Sequence, residues 1–163
     1  TDSRQLMASV AFSDAQLTSD APGLVDCVDA FDGDRLSGSP EQQGTLLLDY
    51  TRPLDNGWTL NANYSLIAVS DVYTKVGLRN NGEALPGYAI HGASIGMGVG
   101  PWVARLYVDN LFDKYAITSV GRDPSYIRQI ERVDLAPIDS RTYFQSMLRP
   151  RTMGLEVTYR FDL

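Results

Sequence analysis

A strict alternation of apolar and polar residues is the feature that most limits what this chain can fold into. It is clearest from residue 58 to 68 and again from residue 151 to the end. A period of two places successive side chains on opposite faces of a β-strand. Both runs match the roughly 9 to 11 residues of a tilted membrane strand and exceed the roughly 5 or 6 residues common in globular sheets. Their apolar positions are Trp58, Leu60, Ala62, Tyr64, Leu66 and Ala68, then Met153, Leu155, Val157, Tyr159, Phe161 and Leu163.

Four weaker segments repeat this pattern, each with one apolar row facing one polar row. Helical spacing fits none of them as well. With the two clear runs they make six predicted strands. The four segments are residues 6–12, 45–51, 88–99 and 102–109.

The connections between the six strands are sorted by length, because long and short ones alternate along the chain. Outer-membrane barrels have long loops outside and short turns in the periplasm, whereas a soluble β-sandwich has no reason to sort its loops in this way. We therefore predict an all-β fold, an antiparallel transmembrane β-barrel meander with its carboxy terminus in the periplasm. The long connections are residues 14–41, 70–86 and 113–150, and the short ones are 54–57 and 100–101.

Six strands are too few to close such a barrel. In hydrocarbon each orphan backbone group costs several kcal/mol, so a spanning sheet must close on itself. The smallest usual barrels have about 8 strands, and plugged transporter barrels have about 22. We therefore expect residues 1–163 to be the carboxy-terminal segment of a larger barrel, whose plug domain and earlier strands lie on sequence outside this chain.

Net charge, hydropathy and cysteine content further limit the kinds of protein that this chain can be. The formal net charge of −6 opposes a broad attraction to phosphates, so no nucleic-acid partner is expected. No apolar run in the sequence approaches the roughly 20 residues of a spanning helix. Cys27 is the only cysteine, so it is either a free thiol or pairs outside this chain.

Aromatic residues gather at the predicted periplasmic rim. Trp58 and Trp102 open strands directly after short turns, and Tyr159 and Phe161 lie near the end of the last strand. Aromatic rings favour the membrane interface because they combine an apolar body with a polar edge. The alternative is that they fill an ordinary core.

Four segments, in order along nearly the whole chain, resemble the carboxy-terminal part of the β-barrel of TonB-dependent outer-membrane receptors. Residues 106–115 (LYVDNLFDKY) resemble the penultimate-strand motif of this family, and residues 149–161 (RPRTMGLEVTYRF) resemble its last strand. Residues 33–41 and 86–88 are similar to segments that lead into downward strands.

The resemblance implies an active transporter and not an enzyme, with no cofactor. Such receptors import a scarce solute, commonly a siderophore-iron complex, cobalamin or an oligosaccharide, across the bacterial outer membrane. The implied partners are the remainder of the receptor, the TonB-ExbB-ExbD complex acting through the plug, outer-membrane lipid and lipopolysaccharide, and the barrel-insertion machinery. Tyr159, Phe161 and Leu163 would carry the assembly signal, although the family often ends on an aromatic residue and here Asp162 and Leu163 follow Phe161.

Selectivity is expected from polar side chains that face the lumen, namely Asn61, Asn63, Arg105 and Asp109. The last long connection mixes cations with aromatic residues, a combination that suits contact with an anionic ligand. Binding to lipopolysaccharide phosphates or to neighbouring loops is the alternative. The residues concerned are Arg122, Tyr126, Arg128, Arg132, Arg141 and Tyr143.

Signals for catalysis or metal binding are weak. His91 is the only histidine, so no histidine pair can bind a metal, and we expect it to be an ordinary polar residue near the outer rim. Acidic residues surround Cys27 in the first long connection; they could attract Ca²⁺, but they lack a recognised ligand spacing, and a solvated loop is the simpler interpretation.

Two other functions fit part of the pattern. Several copies of the chain could close a small barrel with an adhesin or structural role, which an assembly of equal protomers in detergent would reveal. A soluble all-β binding module or hydrolase is the other, and extraction without detergent would favour it.

Overall fold

Nearly all of the regular structure is β-strand. The computed structural model describes residues 2–25, 27–80, 82–122, 127–128, 139–140 and 143–161. In these ranges a single 3-10 turn, Val76–Leu78, accompanies the strands, and no helix is both long and apolar enough to cross a membrane. The strands are β1 (Ser3–Phe12), β2 (Ala21–Val25), β3 (Val28–Ala30), β4 (Gln42–Pro53), β5 (Thr59–Val69), β6 (Val72–Tyr73), β7 (Ala84–Leu85), β8 (Tyr88–Val99), β9 (Trp102–Asp109), β10 (Ile117–Arg122), β11 (Ile127–Arg128), β12 (Asp139–Ser140), β13 (Tyr143–Met147) and β14 (Thr152–Tyr159).

The six long strands form one antiparallel sheet in the order β1-β4-β5-β8-β9-β14. Each long strand is hydrogen-bonded to the next one along the chain. These are the six strands that the alternation predicts, so their number, order and antiparallel pairing are confirmed. β1 begins at Ser3, earlier than predicted, because main-chain pairing with β4 continues beyond the apolar row.

The register aligns the apolar rows of all six strands on one face of the sheet. This apolar face is exposed: Leu6 is 65 % exposed, Leu106 58 % and Leu155 65 %. Among the described residues, the buried apolar side chains all lie in the long connections. One row that crosses the whole sheet consists of Leu6, Leu48, Tyr64, Ala93, Val108 and Met153. The apolar rows are therefore not enclosed inside a water-soluble body.

β1 and β14 are the two edges of this sheet, and each has a single partner strand within the described part of the chain. The sheet is therefore open. Backbone N–H and C=O groups along both edges are available to pair with a further strand, as expected for part of a larger barrel.

Both short turns lie at the same end of the sheet, where they join neighbouring strands. In the first, the N–H of Leu54 donates to the carbonyl of Trp58 at 2.7 Å, and Gly57 adopts a φ of 78° that side chains disfavour. Trp58 is therefore the last residue of the turn, one position before β5 begins. The second turn consists of Gly100 and Pro101, as predicted.

The long connections contain four small two-stranded ribbons that the sequence analysis did not predict. They pair β2 with β3, β6 with β7, β10 with β13, and β11 with β12. Five of their strands have only 2 or 3 residues, which is too short for a period of two to be recognised. Each ribbon is a separate sheet within a connection at the end opposite the short turns.

The predicted aromatic rim is present at the end with the short turns. The ring centroids of Trp102 and Tyr159 lie 4.7 Å apart and those of Tyr159 and Phe161 4.6 Å apart, both edge to face. Such pairs stabilise by about 0.5–1.5 kcal/mol beyond the burial of area. Leu163, the third residue of the predicted assembly signal, lies outside the described residues.

A glycine on the last strand makes room for a tyrosine on its neighbour. Gly154 lies directly opposite Tyr107, and a Cβ at Gly154 would come within 2.5 Å of the Tyr107 hydroxyl oxygen. We expect Gly154→Ala to displace this ring and to lower the free energy of unfolding by about 1–3 kcal/mol, measured by urea titration in detergent. Gly44→Ala is the matched control, because its Cβ would meet only the Ser9 carbonyl at 3.6 Å. Equal stability of the two variants would contradict the expectation.

Candidate functional site

The polar face of the sheet gathers the four residues that were predicted to face the lumen. Asn61, Asn63, Arg105 and Asp109 occupy positions that alternate with the apolar row on β5 and β9. Asn61 and Arg105 lie on either side of Gly96 in one row across three strands. Asp109 is farther away, at the end of β9 where the third long connection begins.

Hydrogen bonds between neighbouring strands orient the two asparagines. Asn63 Nδ2 donates to Asp49 Oδ1 at 2.6 Å, and the Thr51 hydroxyl donates to Asn61 Oδ1 at 3.1 Å. Both pairs are direct cross-strand partners. Within the described residues the Asn61 amide nitrogen makes no hydrogen bond of its own, so it is available as a donor.

Small residues on β8 leave a depression of about 410 Å³ between these asparagines and β9. Its floor is formed by Ser94 and Gly96. Glycine suits position 96, because a Cβ there would lie 3.0 Å from the carbonyl oxygen of Ala104, closer than an ordinary van der Waals contact. On the far wall Arg105 approaches Glu156 only loosely, at 3.9 Å, and this exposed pair contributes little to stability. The depression therefore presents hydrogen-bond donors and acceptors at the surface of the polar face.

A second cluster of polar side chains ties the first long connection to the second. Arg79 binds Asp34 in a bidentate pair, with distances of 2.9 and 3.0 Å, and its guanidinium lies 4.6 Å above the Phe31 ring. The Phe31 N–H donates to the same carboxylate at 2.8 Å. The hydrogen bond from Arg79, followed by that from Phe31, lowers the pKa of Asp34, and the same pair raises the pKa of Arg79.

Arg35, the neighbour of Asp34, forms a second tie between the same two connections. Its guanidinium binds the Asp71 carboxylate at 2.9 Å and Glu41 at 3.3 Å, donates to the carbonyls of Ser39 and Asp71, and lies 4.6 Å above the Tyr73 ring. Only 12 % of the Arg35 side chain is exposed. We refer to the Asp34–Arg79 and Arg35–Asp71 pairs as the loop clamp. Sequence analysis singled out residues 33–41 as a motif but did not identify these pairs.

Asn110 closes the base of the third long connection. Its Nδ2 donates to the carbonyls of Lys114 at 3.0 Å and Arg149 at 2.9 Å, and its Oδ1 accepts the Lys114 N–H at 2.8 Å. The residue is 4 % exposed, so all three polar bonds are made in a buried position where an unmade one would cost about 1–3 kcal/mol. Asp113 adds a fourth bond by accepting the Arg151 N–H at 2.8 Å.

The predicted ligand-contacting residues of the third connection are only partly described. Arg122 is the cross-strand partner of Tyr143 in the β10–β13 ribbon, and Arg128 lies on β11. Tyr126, Arg132 and Arg141 lie outside the described residues. Contact between this set and a ligand therefore remains a prediction.

His91 lies on the apolar face and not in an ordinary polar position. Its Nδ1 is 2.6 Å from the Tyr64 hydroxyl, and its ring meets Phe112 edge to face at 4.8 Å. The sequence indicates this placement, because His91, Ala93 and Ile95 are alternate residues of β8 and therefore lie on the same face. Among the described residues, no group of three or more potential ligands could hold a metal ion, and Cys27 is exposed.

The loop clamp should loosen in acid. Since folding lowers the pKa of Asp34 below its ordinary value of 3.8, the carboxylate stabilises the folded loops above that pH and the stabilisation is lost as pH falls through the lowered value. We expect the hydrogen-exchange protection of the Phe31 amide to decrease over this range. Asp34→Asn is the control and should show low protection with little pH dependence. Constant protection of the unmodified protein would contradict the expectation.

Comparison with known families gives one match. A family model described as TonB dependent receptor-like, beta-barrel, matches residues 6–111, which is well over half of the chain. The match extends from β1 through β9 to the first residues of the Asn110 turn and leaves β14 outside it. No curated protein and no solved structure matches the chain significantly.

Proposed function

Because the chain belongs to the TonB dependent receptor-like β-barrel family, we propose that it forms the carboxy-terminal part of an outer-membrane receptor that imports a scarce solute. The family is one of outer-membrane transporters and not of enzymes. The observation that carries the proposal is a six-stranded antiparallel meander with one continuous apolar face exposed and polar residues on the other.

The exposed apolar face supports placement in a membrane. Soluble monomers rarely expose contiguous apolar patches of more than a few hundred Å², whereas here the row crosses all six strands. An outward apolar band flanked by aromatic residues is the pattern of membrane barrels, and the Trp102, Tyr159 and Phe161 rings supply one of these flanks.

The open edges of the sheet support a larger barrel. In hydrocarbon both edges must be paired, so we assign β1 and β14 to contacts with strands of the remaining receptor, in a barrel of about 22 strands. The plug domain in its lumen would carry the contact with the TonB-ExbB-ExbD complex. Tyr159, Phe161 and Leu163 would be read by the barrel-insertion machinery.

The polar face and the loops are assigned to solute recognition. Asn61, Asn63, Arg105 and Asp109 would line the lumen, where the depression beside Gly96 offers exchangeable hydrogen bonds. At the outer surface, the third connection would contact an anionic group of the solute through arginine and tyrosine side chains. A siderophore-iron complex, a cobalamin or an oligosaccharide are the solute classes proposed. The residues proposed for that contact are Arg122, Tyr126, Arg128, Arg132 and Tyr143.

Adjacent residues on β14 test the orientation of the sheet. In a Cys27→Ser background, a fluorescent label at Leu155→Cys should be quenched by nitroxide-labelled lipid in liposomes, because position 155 lies on the apolar face. A label at Glu156→Cys should be quenched by a water-soluble agent, because position 156 lies on the polar face. The reverse assignment, or water access to both labels, would refute the proposed function.

Uptake measurements test the transport step. Cells that express the intact receptor should accumulate one member of a panel of ferric siderophores, cobalamin and labelled oligosaccharides, and a strain without TonB should not. Arg105→Gln should lower uptake by about tenfold or more, the scale of one lost hydrogen bond to a charged group.

The matched control for uptake is Arg52→Gln, since Arg52 is exposed and its register with Leu60 places it on the apolar face and not on the polar face that carries Arg105. It should leave uptake unchanged. Accumulation that is independent of TonB for every solute of the panel would contradict active import.

A further inference from the structure

Three residues of β9 lie in a row on the polar face, and small neighbours leave the middle of this row open. Arg105, Tyr107 and Asp109 are alternate residues of the strand, so their side chains leave the sheet on one face at intervals of roughly 6.5 Å. Directly opposite Tyr107 are Ser94 on β8 and Gly154 on β14. Since neither has a large side chain, Tyr107 is not covered from either side. We call Arg105, Tyr107 and Asp109 the β9 row.

The Tyr107 ring extends across the last strand. A Cβ at Gly154 would come within 2.8 Å of the Tyr107 hydroxyl oxygen, Cζ and Cε1, so the outer part of the ring lies over the Gly154 backbone. Tyr107 is half-buried, which leaves part of its apolar ring surface accessible from the polar face. Within the described residues its hydroxyl makes no hydrogen bond, so it is available as a donor and an acceptor.

The two charged members of the β9 row have little competition for an external ligand. Asp109 is exposed, and in the described part of the chain its carboxylate forms no ion pair or hydrogen bond. Arg105 approaches only Glu156 there, at 3.9 Å. A carboxylate accepts hydrogen bonds and a guanidinium donates them. A ligand that fills the row must therefore present donors at one end, acceptors at the other and an apolar surface between them.

The charge of the polar face opposes an anionic ligand at this position. Within the six long strands the face carries more carboxylates than cations. Its charged residues are Asp49, Asp109, Glu156 and Arg105. An anionic chelate would be attracted by Arg105 but repelled by the carboxylates. Hydroxyl groups both donate and accept, so an uncharged ligand with several hydroxyls satisfies both ends of the β9 row.

We propose that the β9 row binds one uncharged sugar unit of an oligosaccharide, with a face of the sugar ring on Tyr107 and its hydroxyls bonded to Arg105 and Asp109. The inference rests on the proposed function and deepens it, because it selects one of the three solute classes. The C–H groups of a sugar ring form an apolar face and its hydroxyls project from the edge, which suits an aromatic surface between two charged groups. The row ends where the third connection begins, so a charged substituent on another unit of the same saccharide is compatible with this site.

Calorimetric titration of the intact receptor with neutral hexasaccharides tests the site. The probes are maltohexaose, cellohexaose and xylohexaose, in a detergent without a sugar headgroup, and we expect at least one of them to bind. Tyr107→Leu should weaken this binding about tenfold, because it removes the aromatic surface, whereas Tyr107→Phe keeps the ring and should weaken it less. Phe12→Leu is the matched control, since it removes an exposed ring from the apolar face, and it should change the affinity by less than about twofold.

A second variant, Asp109→Asn, distinguishes the ligand classes. It should weaken binding of the sugar about fivefold, because a charged acceptor becomes a neutral one, but it should strengthen binding of a ferric tris-catecholate chelate by removing a repelling charge. Asp55→Asn removes the same charge in the first short turn and should change either affinity by less than about twofold. Heat-modifiable gel mobility verifies folding, and Asp109→Asn replaces Tyr107→Leu as the test if the latter does not fold.

Three results would overturn the site: equal affinity of Tyr107→Leu and Phe12→Leu, no binding of any of the three hexasaccharides, or binding of the chelate that Asp109→Asn strengthens. If a ferric siderophore or cobalamin is nevertheless imported through TonB, the sugar site fails while the transporter proposal stands. If no solute of the uptake panel is imported through TonB, the transporter proposal fails as well.

Discussion

Main-chain hydrogen bonding between neighbouring strands is the constraint on which the rest of the structure depends. Hydrocarbon offers no partner to a backbone N–H or C=O, so strands that cross it must satisfy each other. Here every long strand pairs with the next one along the chain, and this register alone aligns the apolar positions of six strands. A slip of one residue in any strand would exchange its two faces, so the same pairing also determines where Asn61, Asn63 and Arg105 are presented.

Where the long connections begin, side-chain contacts replace main-chain strand pairing as the interactions that hold the chain in place. The loop clamp joins the first two connections through arginine–carboxylate pairs, while a single buried amide organises the third. Because no described hydrogen bond or ion pair links the clamp to the Asn110 turn, the described part of the loop surface consists of two separately held parts. The proposed lumen face lies on the long strands, outside both parts.

The fold follows from the sequence to a large extent, because a period of two is a local property. Alternation alone was enough to find the six strands and their faces, and loop lengths were enough to order them. The pairs that shape the loops were not predictable in this way: Arg79 and Asp34 lie 45 positions apart, and no local pattern marks them as partners. For His91 the local pattern was informative but was overlooked. It lies two residues before Ala93 and therefore on the apolar face, although its polar side chain suggested an ordinary polar position. Five strands of the small ribbons, with 2 or 3 residues each, are too short for any periodicity.

The Asn110 turn has a consequence for how receptors of this kind diversify. The Asn110 side chain binds both ends of the third connection, at Lys114 and Arg149, so the two ends of that connection are held together. Insertions, deletions or exchange of that stretch leave the pairing of β9 with β14 undisturbed, since loop length adds to the entropy of closure only slowly. The strand pairing can thus persist while the length and sequence of that stretch change from one receptor to another.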